Sequence, residues 1–317
     1  MIVLQGHPYE WEVLDPTAVT IGVFDGVHVG HRRVIDDLVT RSAGLDPAVL
    51  TFDPHPLAIL APDRAPKMLT DIDQRLEQFR GLGVRVAGVL NFPDIRDFSA
   101  GEFCERVLAG ALAARRVVIG ADFRFGRDRG GDAGFLATAG PSLGLAVEVV
   151  EMVASKEGVV SSTRIRQALE AGEVENAARM LARPFELKGV VEVGDRRGNQ
   201  IGFPTANLAV SKGLLIPANG VYAAWAIIGE KPYRSVVNIG IRPTFGGVER
   251  RVEAHILSWG GDLYGVPMAL QFLSRIRDER KFDGVEALVA QISADVEAAS
   301  QTFEDAKVGS VPHDTQV

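Results

Sequence analysis

Two textures divide this chain, and they constrain its fold more than any other feature of its 317 residues. Up to about residue 183, short β-branched runs alternate with helical segments. Candidate strands are Val19–Phe24, Ala48–Phe52, Val86–Leu90, Arg116–Gly120 and Ala146–Val150; helices fill His31–Ser42, Asp71–Gly81, Ala100–Leu112 and Gly134–Leu143. That alternation predicts a parallel α/β sheet. The segment "SSTRIRQALEAGEVENAARMLARP" reads as two helices broken near Gly172 and closed by Pro184. From Phe185 the texture changes. "KGVVEVG", "GVYAAWAII", "SVVNIG", "VEAHIL" and "PMALQFL" are strand-like and separated by Gly/Pro/Asn turns, as in a small antiparallel barrel. A last helix gathers Val285, Leu288, Val289, Ile292, Val296, Ala299 and Phe303 on one apolar face. The expected domains are therefore 1–183, α/β, and 184–308, an antiparallel β-barrel with a C-terminal helix, joined with almost no linker.

Composition narrows the function. A net charge of −7 gives no general attraction to nucleic acid or acidic membranes, so an anionic ligand must be held by local arrangement. The single cysteine, Cys104, excludes an internal disulfide and a cysteine-rich zinc site, and points to a reducing cytoplasm. "MIVLQGHPYEWEVLD" lacks the basic start and apolar core of a secretory signal. The longest apolar stretches, such as Val221 to Gly229, fall short of the roughly 20 residues a membrane helix needs. No membrane partner is expected, and the sequence sets no oligomeric state. The tail after Lys307 reads as frayed.

The chemistry concentrates at "GVFDGVHVGH", Gly22 to His31, where a strand turns into a helix. The carboxyl end of a parallel strand is the usual ligand site of an α/β sheet, and a helix amino terminus offers free N–H groups to phosphate. Gly26 and Gly30 let the backbone come close, while His28 and His31 add donors. Near neutral pH a histidine beside polyphosphate can carry a proton that balances developing charge. Taken singly, each histidine is more often a partly buried hydrogen-bonding residue; the strand, glycine turn, paired histidines and helix together favour phosphate. "SSTRIR", Ser161 to Arg166, supplies a capped helix start with Arg164 and Arg166 in reach of phosphate. "TFDPHP" and "GADFRFGRDRGG" follow two further strands, placing His55 and Asp122 on the same sheet edge as His28, with Phe52, Phe123 and Phe125 as flat apolar surface.

In the second half, "GDRRGNQIGFPTANL" spans Gly194 to Leu208. Its glycines allow a flap, and Pro204 keeps the chain extended so that Thr205 and Asn207 share one side of a strand. A hydroxyl and an amide oxygen are hard ligands suited to magnesium, although a Pro–Thr–x–Asn string alone is more often a turn. In "VEAHIL" Glu253 and His255 share a face. "NGVYA", "NIGIRPTFGG", "DLYG" and "FLSRIRDERKF" complete the set.

The His–x–Gly–His turn, with the later Ser/Thr–Arg helix start, resembles the nucleotidyltransferase superfamily. From Gly22 to Phe282, about ten motifs in order resemble the bifunctional riboflavin kinase/FMN adenylyltransferase family, also called FAD synthetase. The resemblance implies that the barrel moves the γ-phosphate of ATP to riboflavin and that the α/β domain then joins AMP from a second ATP to FMN. It implies magnesium as cofactor, and riboflavin, FMN and ATP as small-molecule partners. By the same resemblance His28, His31 and Glu253 are catalytic, Glu253 as the base for the ribityl 5′-hydroxyl. Gly22, Phe24, Asp25, Gly30, Ser162, Thr163, Arg166, Gly202 and Pro204 bind ATP. Thr205 and Asn207 hold the metal, and Phe52, His55, Asp122, Phe125 and Arg277 meet the flavin. Asp122 departs from relatives that carry asparagine there, and "SWGGDLYG" is short for its loop.

Overall fold

The computed structural model describes residues 1–150, 154–155, 158–194, 198, 201–244 and 247–308. Asp195–Arg197, Asn199 and Gln200 of the glycine-rich stretch, Phe245 and Gly246 of "NIGIRPTFGG", and the tail from residue 309 lie outside them. The chain forms two compact units, Met1–Ser162 and Thr163–Val317.

The first unit is built on β1 (Ile2–Leu4), β2 (Thr17–Ile21), β3 (Asp46–Phe52), β4 (Val86–Leu90), β5 (Ala114–Gly120) and β6 (Ala146–Val150). They lie in the order β1-β4-β3-β2-β5-β6, every pairing parallel. The short pair β7 (Ala154–Ser155) and β8 (Gly158–Val159) follows as a separate antiparallel ladder. Strands β2 and β4 are buried at each residue because both faces of the sheet are covered. Val19 and Ile21 face a core with Trp11, Leu50, Phe103 and Leu136, while Val49, Ala87 and Val89 join Phe24, Ile35 and Phe79 on the other side. The three-residue edge strand β1 has too few residues for a period, and the sequence did not announce it. The expected strand Val19–Phe24 ends at Ile21, since Phe24 turns left-handed at φ 52° and leaves the ladder.

Helix Val29–Thr40 starts two residues ahead of the expected His31, because His28 caps it. Helix Ile72–Gly81 starts on a capping box between Asp71 and Gln74. The expected helix over Ala100–Leu112 is an α-turn, Ala100–Glu102, that continues as a π-helix, Phe103–Ala111, burying Phe103, Cys104, Val107 and Leu108.

The second unit begins with helices Ser162–Glu170 (from its second residue) and Val174–Leu181, separated at Gly172, whose φ is +80°. An added Cβ there would lie 2.7 Å from the Arg275 guanidinium carbon. The compact units therefore divide at 162/163, ahead of the composition shift at 183/184, and the difference is these two helices. They are tied to the barrel: the Ala218 N–H donates to Leu169 O at 2.8 Å, and Arg275 donates to Ala171 O at 3.1 Å.

The barrel comprises β9 (Phe185–Glu192), β10 (Ala206–Val210), β11 (Gly220–Ile228), β12 (Lys231–Thr244), β13 (Gly247–Ile256) and β14 (Pro267–Arg277), closed in the order β10-β13-β12-β11-β14-β9. Closure removes every exposed strand edge. Leu187, Leu208, Tyr222, Val237, Ala254 and Phe272 are buried and fill the interior. The alternate residues Val221, Ala223 and Val236 face outward, where helix Val285–Val308 covers them with Ala299 and Phe303.

Gly189 is where β9 and β10 crowd most: a Cβ on it would sit 2.2 Å from the Ala209 carbonyl oxygen. Backbone cannot rotate away as a side chain can. Gly189→Ala should therefore destabilise the barrel by about 1–3 kcal/mol, seen as a lowered transition in scanning calorimetry of the full chain. An unchanged thermogram would mean that the two strands separate at no cost.

Candidate active sites

The first site grows from the end of β2. Phe24 and Val27 hold positive φ, 52° and 40°, and Gly26 has 79°. Such conformations are costly for bulky residues and persist only where neighbours enforce them. Asp25, 3 % exposed, does part of this: its Oδ1 accepts the N–H groups of Leu69 at 2.9 Å and Thr70 at 3.2 Å. The Gly26 N–H donates to the Thr70 hydroxyl oxygen at 3.0 Å. Phe24 packs edge-on against Phe79 and against His31. Asp25, expected to touch ATP, thus spends its carboxylate on shaping the loop.

His28 is the N-cap of helix Val29–Thr40, its Nδ1 accepting the His31 N–H at 3.4 Å. The two imidazoles stack with centroids 3.6 Å apart. Gly30 permits this, since a Cβ there would sit 3.2 Å from the His28 ring; Gly22 similarly leaves room for the Phe24 ring. His31 Nδ1 is buried with no hydrogen-bond partner among the described residues. Burial, reinforced by His28, holds the His31 pKa well below its ordinary 6.5. His31 is thus a neutral imidazole near pH 7 before nucleotide arrives. The Ser162 hydroxyl donates to Asp25 O at 2.9 Å, bringing the late helix start to the loop. Thr163 and Arg166 follow on that helix, one and four residues further on.

Around the sheet edge, His55 caps the short helix Pro56–Leu60, its Nδ1 accepting the Leu57 N–H at 3.0 Å. Phe52 and His55 are half-buried and Asp122 is exposed. Phe125 differs from expectation. It is 7 % exposed and packed among Phe103, Phe123 and Phe135, so it supports Phe123 from below and offers no open face. The sequence reading passed over Arg75, wholly buried beneath the loops after β2 and β3. A lone arginine in a helical run carries no local signal of that.

The second site is set by register. Asn207 on β10 stands opposite Glu253 on β13, and Glu253 opposite Asn238 on β12. The row continues through Val221 on β11 to Arg277 on β14, and on its other side Asn207 stands opposite Glu192 on β9. Residues directly opposite share a face, and Val221 fixes it as the outer one. Glu253 is one-third exposed, with Arg251 Nη1 4.0 Å away. Gly194 lies over Asn207, where a Cβ would collide with its amide nitrogen at 2.0 Å. Gly202 is left-handed at φ +85°, and the Phe203 N–H closes the turn onto Gly198 O at 2.9 Å. The carbonyl oxygen of Pro204 can only accept, so His255, 2.8 Å away, carries its proton on Nδ1.

A cavity of about 540 Å³ opens beside Pro204 and Thr205, walled by Ala206, Ala254, Trp259 and Tyr264. Arg277, expected at the flavin, is held by its head group: Nε and Nη2 donate to Asp295 at 2.8 and 2.7 Å. Among the described residues no three His, Cys, Asp or Glu side chains gather as a metal cluster. The Thr205 hydroxyl and the Asn207 amide oxygen are hard donors, whose chemistry fits an ion that takes its remaining ligands from phosphate and water.

Residues 11–164 match the family model of FAD synthetase, and residues 181–303 that of riboflavin kinase. A bifunctional riboflavin kinase/FMN adenylyltransferase of Bacillus subtilis is 34% identical over 310 residues, 94% of this chain and 96% of the relative. Those of Pseudomonas fluorescens and Escherichia coli K12 are 38% and 36% identical over 284 and 289 residues, or 88% and 90% of this chain and 91% and 92% of theirs. A crystal structure described as a macrolide-efflux protein from Streptococcus pneumoniae has a TM-score of 0.86 at 32% identity, covering 95% of this chain and 99% of that one. In the present chain, among the described residues, no helix is long and apolar enough to cross a membrane.

The state of His31 has a measurable consequence. Between its depressed folded pKa and the unfolded value near 6.5, the unfolded chain binds the proton that the buried ring refuses. Stability present above that window is therefore lost as pH falls through it. Chemical unfolding of the wild type should weaken on acidification from about pH 7.5 to 5, and His31→Asn should flatten the slope. Equal slopes would show that the folded ring protonates as readily as the unfolded one.

Proposed function

This chain belongs to the bifunctional riboflavin kinase/FMN adenylyltransferase family and makes FMN from riboflavin and FAD from FMN; from that premise we propose how its residues divide the two transfers. The outer row Asn207–Glu253–Asn238 carries the reading of the kinase site. There the ribityl 5′-hydroxyl of riboflavin gives its proton to the Glu253 carboxylate as its oxygen attacks the γ-phosphorus of ATP, and ADP leaves. A neutral alcohol needs such a base. Thr205 and Asn207 would hold magnesium, which supplies charge neutralisation on the phosphates when bound. Gly194, Gly202 and Pro204 bring the glycine-rich stretch over the nucleotide. Arg277, clamped by Asp295, borders the flavin through its backbone and the following loop.

At the first site the FMN phosphate attacks the α-phosphorus of ATP and pyrophosphate leaves. The attacking phosphate is already an anion, so no strong base is required. His28, His31 and the free N–H groups of helix Val29–Thr40 stabilise charge on the transferring phosphorus. Gly22, Phe24, Asp25 and Gly30 give the loop its shape, and Ser162, Thr163 and Arg166 bind the outer phosphates. Phe52, His55 and Asp122 line the flavin side, with Phe123 seated on Phe125. We assign adenylyl transfer to residues 1–183 and phosphorylation to 184–308, acting in the cytoplasm.

Glu253→Gln tests the base. It keeps an acceptor oxygen and loses only the proton-accepting charge, so riboflavin phosphorylation should fall by about 10²–10⁴-fold with little change in KM. Adenylylation of supplied FMN should be unaffected. Near-normal kinase turnover would remove Glu253 from the mechanism. A fragment of residues 163–317, which keeps the two helices seated on the barrel, should phosphorylate riboflavin without making FAD. A folded but inactive fragment would overturn the division.

A further inference from the structure

We propose that Arg75 is a positioning residue for adenylyl transfer, its guanidinium fixing the loop after β2 against the loop after β3. The inference rests on reading the first site as the adenylyl-transfer centre. Arg75 lies on helix Ile72–Gly81 with its side chain wholly buried. Nη1 donates to three acceptors: Val23 O at 3.0 Å, the Thr51 hydroxyl at 3.1 Å and Phe52 O at 2.8 Å. Nη2 donates to Asp53 Oδ1 at 3.1 Å, and Nε lies 3.4 Å from Asp71 O.

The acceptors identify the role. Val23 immediately precedes left-handed Phe24, and Phe52 and Asp53 lead into the turn that His55 caps. A parallel strand that ends leaves carbonyls without ladder partners, and these are the ones the guanidinium collects. The strained loop is gripped on both sides of Phe24, by Arg75 at Val23 and by Leu69 and Thr70 at Asp25. Thr51 adds a third link, its hydroxyl donating to Val23 O at 3.0 Å. Stability alone does not account for this. A buried charge holds a fold together no better than apolar side chains of similar size, and burial here is severe enough to lower the guanidinium pKa against three nearby carboxylates. What the planar fork adds is geometry: it spans both loops at once, which a lysine ammonium cannot.

Arg75→Met and Arg75→Lys, compared in full-length protein, test this, with riboflavin phosphorylation by the same molecules reporting the active fraction. Misplacement of loops by about 1 Å costs on the order of 10²-fold in turnover. Arg75→Met should therefore lose about that much kcat for FAD formation from FMN and ATP, with KM little changed and kinase turnover kept. Arg75→Lys, which restores charge without the fork, should stay impaired. Full recovery with lysine, or equal loss of both activities, overturns the inference. Should Arg75→Met not fold, Thr51→Val removes one acceptor at constant shape and should lower FAD formation about tenfold with kinase turnover kept; an unchanged rate overturns the inference. His28→Ala in parallel separates the two failures. If it leaves FAD formation intact, the reading of the site is at fault; if it abolishes FAD formation while Arg75→Met remains fully active, only the positioning role falls.

Discussion

A parallel strand that stops must hand its last carbonyl and the next N–H groups to something other than its neighbours. In the first unit this handover, at the ends of β2 and β3, governs the rest. Asp25 takes N–H groups from Leu69 and Thr70, while Arg75 serves carbonyls of Val23 and Phe52. Between those anchors the chain tolerates left-handed Phe24, and just beyond them left-handed Val27 delivers His28 to cap its helix. The free N–H groups of that helix then point out of the sheet edge, where an anion is welcome. On the proposed reading of this site, a chain of net charge −7 holds polyphosphate there by local attraction, made largely of backbone.

The barrel solves a different problem. Closure of six antiparallel strands fixes the register all round, so residues distant in sequence are laid side by side without any loop holding them. Asn207, Glu253 and Asn238 meet in this way, and their neighbours Ala206, Ala254 and Val237 fill the interior. A shift of one residue would turn Glu253 into the core, where its charge could not stay. The apolar pattern of β10, β12 and β13 therefore places the polar row as firmly as any hydrogen bond does.

Much of this was legible in the residues. The alternation of textures gave five of the six parallel strands and the barrel, because buried strands and amphipathic helices leave periods that sequence records. The glycine-rich turn with two histidines stood out by its own pattern, whereas the Thr–x–Asn and Glu–x–His pairs read alone as a turn and a solvent-facing strand, and only the family resemblance singled them out. What stayed hidden depends on distance rather than spacing. Nothing near Arg277 announces Asp295, a residue on the last helix that takes its head group. Phe125 looked like a flavin platform, and only its packing against Phe103 and Phe135 makes it core. The two helices over residues 162–181 lie almost wholly between the stretches that match the two family models, and only contacts tie them to the second unit, because helices carry the same period whichever unit they pack on.

The two attacking groups explain why one chain uses such different surroundings. A phosphate that attacks is already charged, so it needs no base to remove a proton. Backbone N–H groups at a helix start suit it, and in the proposed first site they stand beside His31, which burial keeps neutral before nucleotide arrives. An alcohol that attacks must lose a proton, and the group receiving it has to stay ionised until it does. Glu253, the base proposed above, stands one-third exposed on an outer barrel face with Arg251 Nη1 4.0 Å away, so that side chain keeps contact with water.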